Sequence, residues 1–246
     1  MRTVKEWHPT RPSSRAGTFC ASLSMEELSD FEAFESFSCY SGHTILFTET
    51  EIASKILIVL EGRVKLSLNS SQGRRLILQI AEAGEFLGLA SVVSGGPYQV
   101  TAETLYPCKI ASVLRSDFLA FLLRHPGLHQ NLLRELNLDY ERACERLRAI
   151  GLGCNVPARL ARLLLEGDEG HSSKVALTHE EIGQCIGTSR ETVTRILNDF
   201  QHRLIVERRG STLNILNRTA LELCSHEAWH VARGSVVTGR CRNRRG

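Results

Sequence analysis

Ser189, Arg190, Glu191, Thr194 and Arg195 form the run S-R-E-T-V-T-R, a set of groups suited to reading nucleic-acid bases. At 100° per residue, Val193, Ile196, Leu197 and Phe200 share one helical face, and Arg190, Glu191, Thr194, Arg195 and Asn198 share the other. A guanidinium fork bonds O6 and N7 of guanine in the major groove, and a carboxylate accepts from the cytosine amino group. Arg190, Arg195 and Glu191 are therefore the candidate base readers. Ser189, Thr194, Arg208 and Arg209 are candidate contacts to phosphate, which positions a protein on the duplex without specifying sequence. No convergent nucleophile and base are found, so no enzyme is expected. His125 and His129 are four apart, but Pro126-Gly127 interrupts the helix that would bring them together, and no metal site is assigned. The eight cysteines (20, 39, 108, 144, 154, 185, 224 and 241) are dispersed and lack C-x-x-C spacing.

The elements around that run are those a DNA reader needs. Thr178 with Glu181 three residues later forms a capping box, Ile182 and Ile186 give the helix a buried side, and Gly187-Thr188 supplies a turn. Ser189 then caps a second helix running to about His202. Leu204-Ile205-Val206 and Leu213-Asn214-Ile215-Leu216 read as short strands joined across Arg208-Arg209-Gly210-Ser211. A helix–turn–helix followed by a hairpin is a winged helix. Upstream, Leu133, Leu136, Tyr140, Ala143, Leu147 and Ile150 recur at alternating spacings of 3 and 4, an a/d seam suited to pairing two copies of the chain. The alternative is a helix that packs only on its own domain. Gly151-Leu152-Gly153 breaks that helix as a hinge, and Asn155-Val156-Pro157 restarts one carrying Leu160, Leu163 and Leu164. The N-terminal half switches to strand candidates at Thr44–Phe47, Ile56–Leu60, Arg63–Leu68, Leu76–Ile80, Gln99–Leu105 and Lys109–Leu114, preceded by a helix over Leu23–Phe37.

S-R-E-T-V-T-R resembles the recognition helix of the Crp–Fnr regulators, in the cyclic-AMP receptor protein branch. The similarity extends roughly from Cys20 to Leu223, including I-L-I-V-L-E-G-R-V-K-L (Ile56 to Leu66) and A-E-A-G-E-F-L-G-L (Ala81 to Leu89). It implies an α+β protein with an N-terminal cyclic-nucleotide-binding-type β-roll, a long dimerisation helix and a C-terminal winged helix–turn–helix. The expected division is a basic, disordered 1–19, a sensor roll at 20–126, dimer helix and hinge at 127–153, the DNA-binding domain at 154–224 and a basic tail at 225–246. Arg190, Glu191 and Arg195 match the family's principal base-reading positions, which implies a palindrome of TGTGA-like half-sites. Double-stranded DNA, a second copy of the chain and RNA polymerase are the expected partners.

The effector is not legible. Gly84, Glu85, Leu87 and Gly88 lie where the family's phosphate-binding cassette lies; backbone N–H groups there could cradle an anion and Glu85 could take a ribose hydroxyl. The resemblance also calls for an Arg-Ser pair just downstream, but Pro97-Tyr98-Gln99-Val100-Thr101-Ala102 holds no cation. Without that charge-assisted contact, cyclic AMP in the usual mode is not expected. Other family members carry an iron–sulfur cluster, and Cys20 and Cys108 correspond to two of its positions; residues 1–19 hold no further cysteine, Cys39 could approach, and a fourth ligand is unassigned. Two buried structural cysteines are the leading reading, a redox-responsive Cys20–Cys108 pair and a cluster the alternatives.

Composition sets the outer limits. A chain of 246 residues holds two modest domains, and its net charge of +3 is too small to identify a DNA binder. Residues 1–19 carry four basic groups against one acidic and residues 225–246 five against one, whereas 154–224 balance at nine each. No apolar run approaches the length of a membrane span. Arg2 and Lys5 are not followed by an apolar stretch typical of a secretory signal, so the cytoplasm is the default. A rival reading remains: a ligand-binding module that regulates a protein partner would share the roll, but would not need Ser189–Arg195 with a basic wing.

Overall fold

The computed structural model describes residues 19–151, 155–169, 177–209 and 212–225. The expected basic ends, the Leu152-Gly153 part of the hinge and the Gly210-Ser211 turn of the wing lie outside or almost wholly outside them, as do the side chains of Cys20 and Arg209.

After a 3-10 turn at Phe19–Ser22, helix α1 spans Met25–Glu32. Ser24 opens it with a reciprocal cap: its hydroxyl accepts from Glu27 N–H at 3.2 Å, and its own N–H donates to Glu27 Oε2 at 2.7 Å. The expected helix over Leu23–Phe37 is too long, because Ser36–Tyr40 is strand β1, with Phe37 opposite Ala111. Strands β2 (Ile45–Phe47), β3 (Lys55–Glu61), β4 (Val64–Asn69), β5 (Arg75–Ala81) and β6 (Phe86–Leu87) follow. Then come helix α2 (Leu89–Ser94), strands β7 (Thr101–Thr104) and β8 (Cys108–Leu114), and helix α3 (Arg115–Arg124). The strands form two four-stranded antiparallel sheets, ordered β1-β8-β3-β6 and β2-β7-β4-β5. Between and beside them, Phe19, Phe31, Phe86, Phe118 and Phe121 pack edge to face or tilted, with ring centroids 5.1–6.4 Å apart.

A 3-10 turn at Pro126–Leu128 leads into α4, which runs 23 residues from His129 to Gly151. One side of α4 is tied to the roll: Leu132 and Glu135 are buried, and Leu136 packs against the roll's core. The opposite side carries Leu133, Tyr140 and Leu147, all close to two-thirds exposed.

The C-terminal unit comprises α5 (Val156–Glu169), α6 (His179–Ile186), α7 (Arg190–His202), strands β9 (Val206–Arg209) and β10 (Thr212–Ile215), and α8 (Arg218–Ser225). Its core gathers Leu160, Ile182, Val193, Leu197, Phe200 and Leu221. One member comes from the roll: Ile77 of β5 is fully buried in this second core, with Ile80 packed beside it. Arg146 of α4 fastens the same junction, donating from Nε to Leu78 O at 3.1 Å and from Nη1 to Cys185 O at 3.4 Å.

Candidate nucleic-acid interface

The reading unit is built by local rules. Thr178 caps α6, accepting from Glu181 N–H at 3.2 Å, while Glu181 Oε2 accepts the Thr178 N–H at 2.9 Å. Gly187 ends the helix in the left-handed conformation at φ 66°. Gly183 is required by packing: a Cβ there would stand 2.7 Å from Thr188 O, too close for the turn to fold back on α6. Ser189 caps α7, its Oγ accepting from Thr192 N–H at 3.3 Å.

Helix α7 buries Val193, Ile196, Leu197 and Phe200 and turns Arg190, Glu191, Arg195 and Asn198 outward or nearly so. Arg190, Glu191, Thr194, Arg195 and Asn198 line one shallow recess of about 420 Å³. Glu191 accepts from its own backbone N–H and from the Ser189 hydroxyl, which hold its carboxyl below the usual range and keep it an ionised acceptor. Thr194, an expected phosphate contact, is also engaged within the reader. Its hydroxyl donates to Arg190 O at 2.9 Å and lies 2.8 Å from His179 Nδ1.

The wing is shifted from its expected strands. Leu204 has φ 55°, Ile205 N–H donates back to Phe200 O, and Leu216 N–H donates to Ile205 O, so the ladder begins only at Val206. Arg208 and Arg209 consequently sit in β9, opposite Leu213 and Thr212, and not in the turn. Arg208 Nη1 lies 3.4 Å from His179 Nε2. Sequence reasoning missed His179: its partners lie 15 and 29 positions away, and no local pattern announces them.

The a/d seam divides in the isolated chain. Leu133, Tyr140 and Leu147 are exposed at seven-residue spacing, while Leu136, Ala143 and Ile150 are half-buried.

The cassette is occupied by the chain's own groups. Glu85 is 4% exposed; its Oε2 accepts from Gln79 Nε2 at 3.0 Å and from Glu82 N–H at 3.1 Å, and its Oε1 pairs with Arg142 of α4 at 3.2 Å. Gly84 N–H donates to Val59 O and Glu85 N–H to Glu82 O, so neither is aimed at a ligand. Leu87 is fully buried in the roll. Gly88 lies under Tyr98, whose ring would be 2.6 Å from a Cβ there. Tyr98 itself stacks on Phe47 at 3.8 Å and 15° and donates its hydroxyl to Lys55 O at 2.6 Å. In the stretch where the resemblance calls for an arginine there stands a buried, hydrogen-bonded aromatic.

Cys108 is buried, its thiol donating toward Arg63 O and Tyr106 O, and burial raises its pKa. Its proposed partner side chain, Cys20, is outside the described residues. His125 faces Asp30 at 3.1 Å and His129 faces Pro126 O at 2.6 Å, so the two imidazoles serve separate contacts. Among the described residues, no three or more His, Cys, Asp or Glu groups converge as metal ligands.

Residues 38–125 match the family model for a cyclic nucleotide-binding domain, and residues 158–224 match that for a Crp-like helix-turn-helix domain. A CRP-like cAMP-activated global transcriptional regulator from Mycobacterium tuberculosis is 31% identical over 182 residues, covering 71% of this chain and 80% of the relative. The transcriptional activatory protein AadR of Rhodopseudomonas palustris is 26% identical over 211 residues, covering 80% of this chain and 84% of that protein. FixK2 from Bradyrhizobium japonicum shares the fold with a TM-score of 0.70 at 24% identity, over 79% of this chain and 99% of that one.

Proposed function

Because the chain belongs to the Crp–Fnr family of transcription regulators, we propose that it acts as a homodimer on a palindromic, TGTGA-like DNA site. The observation that carries this reading is α7: capped at Ser189, anchored by four buried apolar residues, and presenting Arg190, Glu191 and Arg195 together on its outer side. A helix so fixed enters the major groove with its N-terminal residues toward the bases, and Arg208 of the wing addresses the backbone. Dimerisation is supported by the exposed Leu133, Tyr140 and Leu147, whose heptad spacing suits a two-fold pairing of α4 helices. Such a dimer presents two reading helices about 34 Å apart, one turn of DNA. RNA polymerase is the natural third partner, since a bound regulator acts on transcription through it.

The effector is not cyclic AMP held in the usual mode. The Mycobacterium tuberculosis relative is cAMP-activated by its name; what argues against the same mode here is that the 97–102 stretch holds no cation, that Tyr98 is packed on Phe47, and that Glu85 is already engaged by Arg142, Gln79 and Glu82. The contacts that join roll to reader, and through which a change in the roll would reach it, are those of Ile77, Lys65 and Arg146. Gel shifts of the full chain on a TGTGA-based palindrome, against a scrambled duplex and with or without cyclic AMP, test both statements. Preferential binding that cyclic AMP leaves unchanged is expected. Equal binding to both duplexes overturns the operator assignment, and cyclic-AMP-dependent binding overturns the effector reading.

A further inference from the structure

His179 joins three parts of the reader that the sequence keeps apart. It is the first residue of α6; its Nδ1 lies 2.8 Å from Thr194 Oγ1 on α7, and its Nε2 lies 3.4 Å from Arg208 Nη1 on β9. A guanidinium only donates, so Nε2 carries the lone pair and Nδ1 the proton. Nδ1–H therefore donates to Thr194 Oγ1, whose own proton goes to Arg190 O, 2.9 Å away. The resulting line of bonds runs from the wing, through the imidazole, to the first turn of the recognition helix. Burial pushes the His179 pKa down, and the charges of Arg208 and Arg190 push it further the same way, both favouring the neutral ring.

From this geometry we infer that His179 is a positioning residue for DNA binding, holding the wing cation Arg208 against the recognition helix so that both meet the same stretch of sugar–phosphate backbone. The inference rests on α7 being the DNA-binding helix. An arginine side chain loses much rotamer freedom when it docks on a phosphate, and a partner that already orients it reduces that loss. The partner must be a neutral acceptor. A carboxylate at position 179 would hold the guanidinium equally well, but would cancel the charge that displaces counterions from DNA. An imidazole with its Nε2 lone pair turned toward the guanidinium orients the cation without itself adding a negative charge.

The test compares the full-length parent, His179→Ala, Arg208→Ala and the double variant on the palindrome and on a random duplex of equal length, over a series of salt concentrations. His179→Ala is expected to weaken both duplexes by a similar factor and to make the salt slope shallower by up to about 0.9, one phosphate's worth. Arg208→Ala should do the same, and the double variant should be no worse than the stronger single. His179→Asn separates this role from a packing role: its amide can still donate to Thr194 but offers no acceptor at the Nε2 position. It should melt like the parent and bind with the shallow slope. Losses that multiply in the double variant, or a parent-like slope in His179→Asn, would overturn the inference. A parent that shows no preference for the palindrome, while its affinity for the random duplex keeps the same dependence on His179, supports the inference and removes only the operator assignment.

Discussion

Lys65 Nζ of the sensor roll lies 3.5 Å from Glu181 Oε1 of the reader, and both residues are nearly sealed from solvent, at 4% and 8% exposure. Lys65 is also 2.9 Å from Glu103, which Arg75 holds from the other side at 2.8 Å. Burial raises the pKa of Glu103, but the hydrogen bonds and charges of Lys65 and Arg75 outweigh it and keep the carboxyl below its usual range. The junction between roll and reader thus has an ionic layer, Glu103–Lys65–Glu181, beside the apolar layer made by Ile77 in the reader's core.

Removing the shared cation leaves the buried Glu181 carboxylate without its ion-pair partner and Glu103 with Arg75 in place of two close cations. Lys65→Met should therefore lower stability by about 3–5 kcal/mol, the usual effect of breaking one side of a buried ion pair. Glu181→Gln should be much milder, because glutamine preserves the capping contact with Thr178 while giving up the charge. Combining the two should recover part of the Lys65→Met loss, since the stranded charge of Glu181 is gone. Urea melts of the three variants check this. Strict additivity would show that Lys65 and Glu181 do not interact energetically.

A second ionic cluster, centred on the buried Glu135, should give stability an unusual pH dependence. Glu135 of α4 accepts from Phe19 N–H at 3.0 Å, and burial, with Asp139 nearby, raises its pKa to about 7. Burial likewise raises Asp139 to about 6, with Arg142 opposing. For an acid whose folded pKa is raised, the folded state holds protons that the unfolded chain has released between the two values. Stability then falls as pH rises from about 4.5 toward 7, and the full cost of the buried charge is felt above 7. Melting temperature should therefore increase as pH is lowered from 8 toward 5.5. Glu135→Gln keeps an acceptor for Phe19 and should flatten that rise, stabilising the protein at pH 8 by about 1–3 kcal/mol. A pH profile of Glu135→Gln parallel to that of the parent would exclude Glu135 as the source.

The parts of this fold that were legible in the sequence are those set by contacts within a few residues. The caps at Thr178 and Ser189 and the apolar stripe through Val193 to Phe200 depend on spacings of three and four, and α7 ends at His202 as its periodicity indicates. Strand β1 was not legible, because Ser36–Tyr40 is largely exposed and shows no alternation; its pairing with β8, more than 60 positions away, holds it in place. Helix α8 escaped notice for a similar reason, being one short turn-pair that buries Leu221 and Cys224 against α5. At the cassette, the missing cation was visible in Pro97–Ala102. What replaces it was not: the Tyr98–Phe47 stack and the Arg142–Glu85 pair join residues 51 and 57 apart.

Arg190 and Arg195 make distinguishable predictions at the operator. Each should bond guanine O6 and N7 bidentately, so Arg190→Ala or Arg195→Ala should cost about 1–3 kcal/mol at its own base pair and relax discrimination there. Arg208→Ala should instead weaken all sequences alike and reduce the salt slope. Titrating the variants against a set of point-substituted operators measures this. Unchanged discrimination at every position would remove these arginines from base reading.

The exposed side of α4 gives the last prediction. Leu133, Tyr140 and Leu147 make little contact with the rest of their own chain, at 65%, 68% and 64% exposure, so a charge placed there costs the isolated fold little. In a two-fold dimer the same positions meet their counterparts across the axis, where like charges are desolvated together. Leu133→Glu and Leu147→Glu, alone and combined, should shift sedimentation from dimer to monomer while leaving the secondary structure unchanged. Affinity for the full palindrome should fall steeply, because two linked reading helices bind with an effective concentration that separate monomers lack. Affinity for an isolated half-site should change little. A variant that remains dimeric with Glu at both positions would place the interface elsewhere and return α4 to the role of a helix packed only on its own roll.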